Sequence, residues 1–148
     1  MLIIGRRDYL QLPKLGLFYI QAKIDTGAYG CSLHCHEIEK VQMEDKEVLR
    51  FKLLDPGHPE YKGKFNYATE FSDKIVKNSG GLAEHRYTIT TDVIIFKDTY
   101  QVEFSLTDRE NMRYPILLGR KFLRKRFVVD VSKKNLSKRN KRLHYKPV

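Results

Sequence analysis

Phe18-Tyr19-Ile20-Gln21-Ala22-Lys23-Ile24-Asp25-Thr26-Gly27-Ala28 is the stretch on which the reading of this chain turns. Phe18, Ile20, Ala22 and Ile24 alternate with Tyr19, Gln21 and Lys23, the period-two pattern of a strand with one buried face. The strand runs straight into Asp25, so that carboxylate is delivered at a strand end. Upstream, Leu10-Gln11-Leu12-Pro13-Lys14-Leu15-Gly16 reads as a shorter strand and a turn, with Pro13 limiting its extension. Together the two segments predict an opening hairpin.

Further along, His34 to Leu54 mixes apolar and charged positions without a clear period, and Asp55-Pro56-Gly57-His58-Pro59 is a turn. Phe71 to Lys77 and Glu84 to Thr91 are candidate strands around Asn78-Ser79-Gly80-Gly81, an exposed hairpin tip. Thr88 to Phe96 and Tyr100 to Leu106, joined by Lys97-Asp98-Thr99, form another hairpin, with Tyr100, Val102, Phe104 and Leu106 on one face. Pro115-Ile116-Leu117-Leu118 is a short apolar run ending at Gly119; a single helical turn from Arg120 to Lys125 and a strand at Phe127 to Val131 follow. No helical period is sustained and no repeat or heptad is present. An all-β fold, a closed barrel of short strands with one short helix near the C-terminal end, is the expectation.

At 148 residues the chain suits one domain with a modest core of its own. Its net charge of +10 is uneven: Arg120 to Lys146 holds 12 Lys or Arg against the single acid Asp130, which is +11 and leaves −1 for everything else. Residues 1–131 are therefore read as the folded domain and residues 132–148 as a basic C-terminal tail that frays. Met1 to Gly5 leads directly into Arg6, Arg7 and Asp8, leaving no apolar core for a signal peptide, and no run approaches the roughly 20 apolar residues of a membrane helix. A cytoplasmic protein without membrane contact is expected. Cys31 and Cys35 could form a relaxed disulfide only with suitable backbone geometry, and reduced thiols are the expectation in that compartment.

Three segments resemble one family: Ile4-Gly5-Arg6-Arg7, Leu12-Pro13-Lys14-Leu15-Gly16, and Leu106 to Arg120 with its Pro115-Ile116-Leu117-Leu118-Gly119-Arg120 end. With Ala22-Lys23-Ile24-Asp25-Thr26-Gly27-Ala28 some 90 residues ahead of the Leu117-Leu118-Gly119-Arg120 segment, the order is similar to that of retropepsin-like (acid protease) barrels. The particular resemblance is to the retropepsin-like aspartic proteases associated with RimK-type ATP-grasp glutamate ligases, customarily labelled ATP-dependent zinc proteases. It extends from about Ile3 to Val131.

That resemblance implies a peptide hydrolase. Cleavage without a metal can be run by two facing carboxylates around one water; such a pair holds one proton between its members, so one can accept a proton from the water while the other donates to the carbonyl oxygen. The chain has one Asp25-Thr26-Gly27 and no second copy, so the carboxylate pair requires a homodimer with Asp25 from each protomer. By resemblance Thr26 hydrogen-bonds across the axis, Gly27 permits the tight turn, Ala28 leaves space beside the carboxylate, and the hairpin carrying Ser79, Gly80 and Gly81 closes on a peptide as a flap. Substrates would be glutamate-modified or ribosomally made peptides, and an ATP-grasp ligase would be a partner. In typical retropepsins an Asp two residues after the motif's glycine pairs with the arginine of the later segment; Tyr29 stands there, leaving Arg120 without that partner. The associated family often has Arg followed by Thr-Ser, against Tyr29-Gly30-Cys31 in this chain.

No metal or cofactor is expected. Cys31, His34, Cys35 and His36 lie too close in sequence to surround a tetrahedral ion easily, and no His-Glu-x-x-His is present. Without a phosphate-binding Gly-x-x-x-x-Gly-Lys loop, any ATP dependence would reside in the ligase. Structural readings for these residues are a hydrogen bond near the active loop for His34 and burial as small apolar side chains for the cysteines. Two other functions remain open: a non-catalytic peptide-binding module, and a basic protein contacting RNA, the ribosome or an acidic polypeptide through its tail.

Overall fold

The alternation ending at Asp25 becomes a strand in which Ile20 and Ala22 are fully buried and Ile24 nearly so, whereas Phe18, expected on that face, is 56% exposed and Leu17 is buried in its place, because the pairing register slips near this end. In the computed structural model, which describes residues 1–77, 80–108 and 113–148, this is β3 (Leu17–Ile24). It follows β1 (Leu2–Ile4), β2 (Arg7–Leu12) and a 3-10 turn at Pro13–Leu15. Gly16 closes that turn at φ +70°, a conformation in which a side chain would be strained, and donates its N–H to Pro13 O at 3.1 Å. β2 and β3 pair antiparallel, as the hairpin reading requires.

Next come β4 (Cys31–Met43), β5 (Lys46–Leu53), β6 (Phe65–Ala68), β7 (Ser72–Lys77), β8 (Ala83–Ile95), β9 (Asp98–Thr107), β10 (Ile116–Leu118), the short helix α1 (Arg120–Leu123) and β11 (Phe127–Val129). Neighbours run β10-β3-β2-β8-β9-β4, and β4 returns to β10, closing a barrel of six strands. The closed all-β barrel and its single short helix are as the sequence pattern indicated. β5 and β6 extend the sheet beyond β4, and β7 pairs with the outer half of β8. Leu33, Ile89, Val93, Phe104 and Ile116 fill the interior; Phe122 and Phe127 cover one end with rings 5.6 Å apart. Buried aromatic pairs of this kind add packing energy beyond their area.

His34 to Leu54, which shows no clear period, is the long β4–β5 hairpin. Its alternation is broken by a bulge between His36 and Glu39, where Glu37 takes φ +52°, and the register shifts. The charged positions on this hairpin pair with one another: Lys52 with Glu37 at 2.8 Å, and Arg50 with Glu39.

Residues 133–145, most of the segment expected to fray, are tied to the barrel by backbone hydrogen bonds. Asp8 on β2 is completely buried, and its carboxylate accepts hydrogen bonds from the N–H groups of Tyr9 (2.8 Å), Ser137 (2.8 Å) and Lys138 (3.1 Å). Ser137 Oγ in turn accepts from Phe96 N–H, Leu136 is buried, and Ile3 N–H reaches Leu143 O at 2.6 Å. Composition reported the charge of this segment correctly but not its one carboxylate anchor.

Burial raises the Asp8 carboxyl above the ordinary carboxylate range of about 3.9, against the opposing pull of its backbone hydrogen bonds. The folded chain therefore holds this proton more tightly than the unfolded one, and the associated stability is greatest below the unfolded pKa and declines as pH rises through the folded one. Asp8→Asn turns one acceptor into a donor facing another donor and is expected to cost about 1–3 kcal/mol. Denaturant melts between pH 3 and 7 should show the loss together with a flatter pH dependence, and hydrogen exchange should rise over residues 136–145.

Candidate active site

Asp25 leaves β3 at its carboxyl end, and its N–H is held by Leu118 O of β10 at 2.9 Å. β10 lies parallel to β3 on one side and antiparallel to β4 on the other, so it wedges apart the two strands joined by the Asp25 loop. Gly27 N–H donates to Asp25 Oδ1 at 3.0 Å, and Ala28 N–H to Asp25 O at 3.3 Å. A Cβ on Gly27 would sit 3.3 Å from Asp25 Oδ1, which explains a glycine in that turn. Asp25 is partly buried, and its Oδ2 makes no hydrogen bond among the described residues.

The segment after β10 stitches this loop in place. Arg120 N–H donates to Ala28 O (2.9 Å), Lys121 N–H to Tyr29 O (2.8 Å), and Gly119 N–H to Cys31 Sγ (3.4 Å). The Arg120 guanidinium donates to Thr26 O at 3.0 Å and stands 5.9 Å from the centre of the Tyr29 ring. Arg120 is thus held by a backbone carbonyl and a ring face in place of an acidic partner. The reading of Gly119-Arg120 as a structural turn fits this geometry, and the turn it makes is the one that carries Asp25.

Asp25, Gly27 and Ala28 line an open groove of about 520 Å³ together with Arg86, Ser105 and Thr107. Thr26 sits exposed on the rim, with its carbonyl taken by Arg120. Gly80 and Gly81 lie at the exposed end of the β7–β8 hairpin and do not line the groove within this chain; Ser79 lies outside the described residues. Arg86 on β8, Ser32 on β4 and Thr107 on β9 escaped the sequence reading. Only the strand pairing brings them beside Asp25, and no local motif marks them. Ser32 and Thr107 line the groove, and their hydroxyl oxygens are buried and make no hydrogen bond among the described residues.

At the hairpin's base Asp73 binds Lys40 Nζ (2.8 Å) and His85 Nδ1 (2.7 Å), which holds its carboxyl below the usual range and ties the β7–β8 arm to β4.

The four sulfur and nitrogen residues do not fit a zinc ion. Cys31 and Cys35 point to one face of β4, His34 and His36 to the other. His34 is buried, with Nε2 2.6 Å from Asp55 Oδ1 and Nδ1 3.2 Å from Thr107 O, the structural role expected of it, and His36 Nε2 is 3.2 Å from the Tyr61 hydroxyl. Both cysteines are free and buried, and burial pushes both thiols up, away from the thiolate a metal needs. Among the described residues no group of three or more His, Cys, Asp or Glu could hold a metal, and no helix is long and apolar enough to cross a membrane.

The RimB-like family model, described as retropepsin-like aspartic endopeptidase RimB, matches residues 3–140. The chain is 31% identical over 146 residues to a probable alpha-L-glutamate ligase of Desulfotalea psychrophila, covering 92% of this chain and 31% of that protein. A protein of the same name from Parasynechococcus marenigrum is 31% identical over 133 residues, 87% of this chain and 28% of the relative. The chain therefore spans under a third of the length of these curated relatives. A Legionella pneumophila protein of unknown function has the same fold, with a TM-score of 0.70 at 24% identity over 91% of this chain and 97% of that one.

A Cβ on Gly119 would lie 2.2 Å from Gly30 O and 2.7 Å from Tyr29 O, whereas one on Gly57 meets nothing within 4 Å. Gly119→Ala should therefore cost more than about 3 kcal/mol or prevent folding, while Gly57→Ala stays within about 0.5 kcal/mol of the wild type. Thermal melts of the two variants side by side provide the measurement.

Proposed function

The chain belongs to the RimB-like family of retropepsin-like aspartic endopeptidases, and from that membership we propose that it works as one half of a homodimeric peptide hydrolase. The observation carrying this reading is a single Asp25 at the mouth of an open groove, with Oδ1 fixed by Gly27 N–H and the other oxygen free to face a partner. Two such loops across a two-fold axis set a water between two carboxylates. The ionised one takes a proton from the water as its oxygen attacks the peptide carbonyl, and the protonated one donates to the carbonyl oxygen. Collapse of the tetrahedral intermediate then breaks the C–N bond as the leaving nitrogen takes a proton. In this reading Thr26, Gly27 and Ala28 line the substrate path, and the β7–β8 hairpin with Ser79, Gly80 and Gly81 closes over it.

Glutamate-rich peptides are the proposed substrates, in the cytoplasm, with an ATP-grasp ligase as the functional partner. Arg86 places a cation in the groove, and the two curated relatives are named glutamate ligases over lengths that this chain only partly spans. A carboxylate held by a guanidinium gains a charge-assisted hydrogen bond that a neutral side chain lacks.

Asp25→Asn should keep the fold and the dimer while cleaving at least roughly 100-fold more slowly. Sedimentation and a peptide-cleavage assay measure the two separately, and wild-type turnover by this variant refutes the proposal; tight peptide binding with no turnover in the wild type points instead to a binding module. Arg86→Gln should lower kcat/KM for glutamate-rich peptides by roughly 10-fold relative to a neutral peptide, and an equal effect on both would remove the acidic preference.

A further inference from the structure

Away from the Asp25 groove, and sharing no lining residue with it, a second open groove of about 400 Å³ brings the basic C-terminal segment against aromatic side chains of the barrel. Tyr9 of β2 and Tyr19 of β3 stack with ring centres 4.2 Å apart and planes 15° from parallel. Phe18 and Tyr19 are 56% and 51% exposed, two adjacent rings that together make an apolar patch on the surface. The Glu60 carboxylate accepts the N–H groups of both, at 2.9 and 3.0 Å, so the backbone carrying these rings is held rather than loose.

The cations are fixed as well. Lys138 Nζ lies 4.7 Å from the Tyr9 ring centre and 5.4 Å from that of Tyr19, and its backbone is anchored on the buried Asp8. Lys97 lines the same groove. Arg139 and Lys141 flank in sequence, and among the described residues none of these four makes an ion pair. Exposed flat rings with cations beside them that no carboxylate neutralises are what a single-stranded nucleic acid requires: a π face for each base and positive charge for each phosphate. An acidic polypeptide would use the charge but leave the rings idle.

We propose that the groove of Tyr9, Phe18, Tyr19, Lys97 and Lys138 binds single-stranded nucleic acid, with bases stacked on the Phe18 and Tyr19 rings and phosphates on the lysines. The site does not involve Asp25, and its binding is independent of peptide cleavage.

A fluorescein-labelled 12-nucleotide oligouridylate, titrated with the full chain by anisotropy at two salt concentrations, tests it. Saturable, salt-weakened binding is expected. Phe18→Ala and Tyr19→Ala should each weaken it roughly ten-fold, Tyr19→Phe should retain it, and Lys138→Ala should reduce the salt slope by about one. Unlabelled polyglutamate of twelve residues should compete poorly. The proposal is overturned if no binding occurs at low salt, if both ring-removed variants bind like the wild type, or if polyglutamate displaces the oligonucleotide at equal charge. Thermal melts identify which variants fold; should Tyr19→Ala unfold, Phe18→Ala carries the ring test alone.

Discussion

The contact between Gly119 and the carbonyls of residues 28–30 is the constraint to which the rest of the molecule answers. Two loops can approach so closely only because no side chain intervenes, and three backbone N–H groups, from Gly119, Arg120 and Lys121, then close on Cys31 Sγ, Ala28 O and Tyr29 O. The hydrogen bonds pair backbone groups that a wider gap would leave without these partners. β10 can therefore enter between β3 and β4, closing the barrel and presenting Asp25 in one stroke. Fold closure and the placement of the carboxylate are one event, which is why the two diagnostic segments are so far apart in sequence.

The departure at Tyr29 makes sense within that frame. A chain with an acid at this position could neutralise Arg120 directly; here the guanidinium bonds to Thr26 O and faces the Tyr29 ring. Both solutions leave the arginine braced against the loop. The ring, 60% exposed, adds apolar surface to the rim of the half-site that the proposed dimer would have to cover.

What the sequence disclosed follows the range of the forces involved. The alternation of β3, the Gly-rich tip between β7 and β8 and the turn after β10 are local, and they were readable from neighbouring residues. The β4–β5 hairpin was not, because the bulge at Glu37 resets the alternation and ion pairs take the place of apolar neighbours. Arg86, Ser32 and Thr107 reach the groove only through strand pairing between residues far apart in the chain. The C-terminal segment was misread because composition averages over its charge, whereas its position depends on Asp8, one carboxylate about 130 residues earlier.

That clasp has an architectural consequence. Tyr145 N–H bonds to Met1 O at 2.8 Å and Leu2 bridges His144, so both ends of the described chain emerge side by side at one edge of β1. A unit whose ends meet can be spliced into a surface loop of another polypeptide, or re-cut into a circular permutant, without stretching any of its strands.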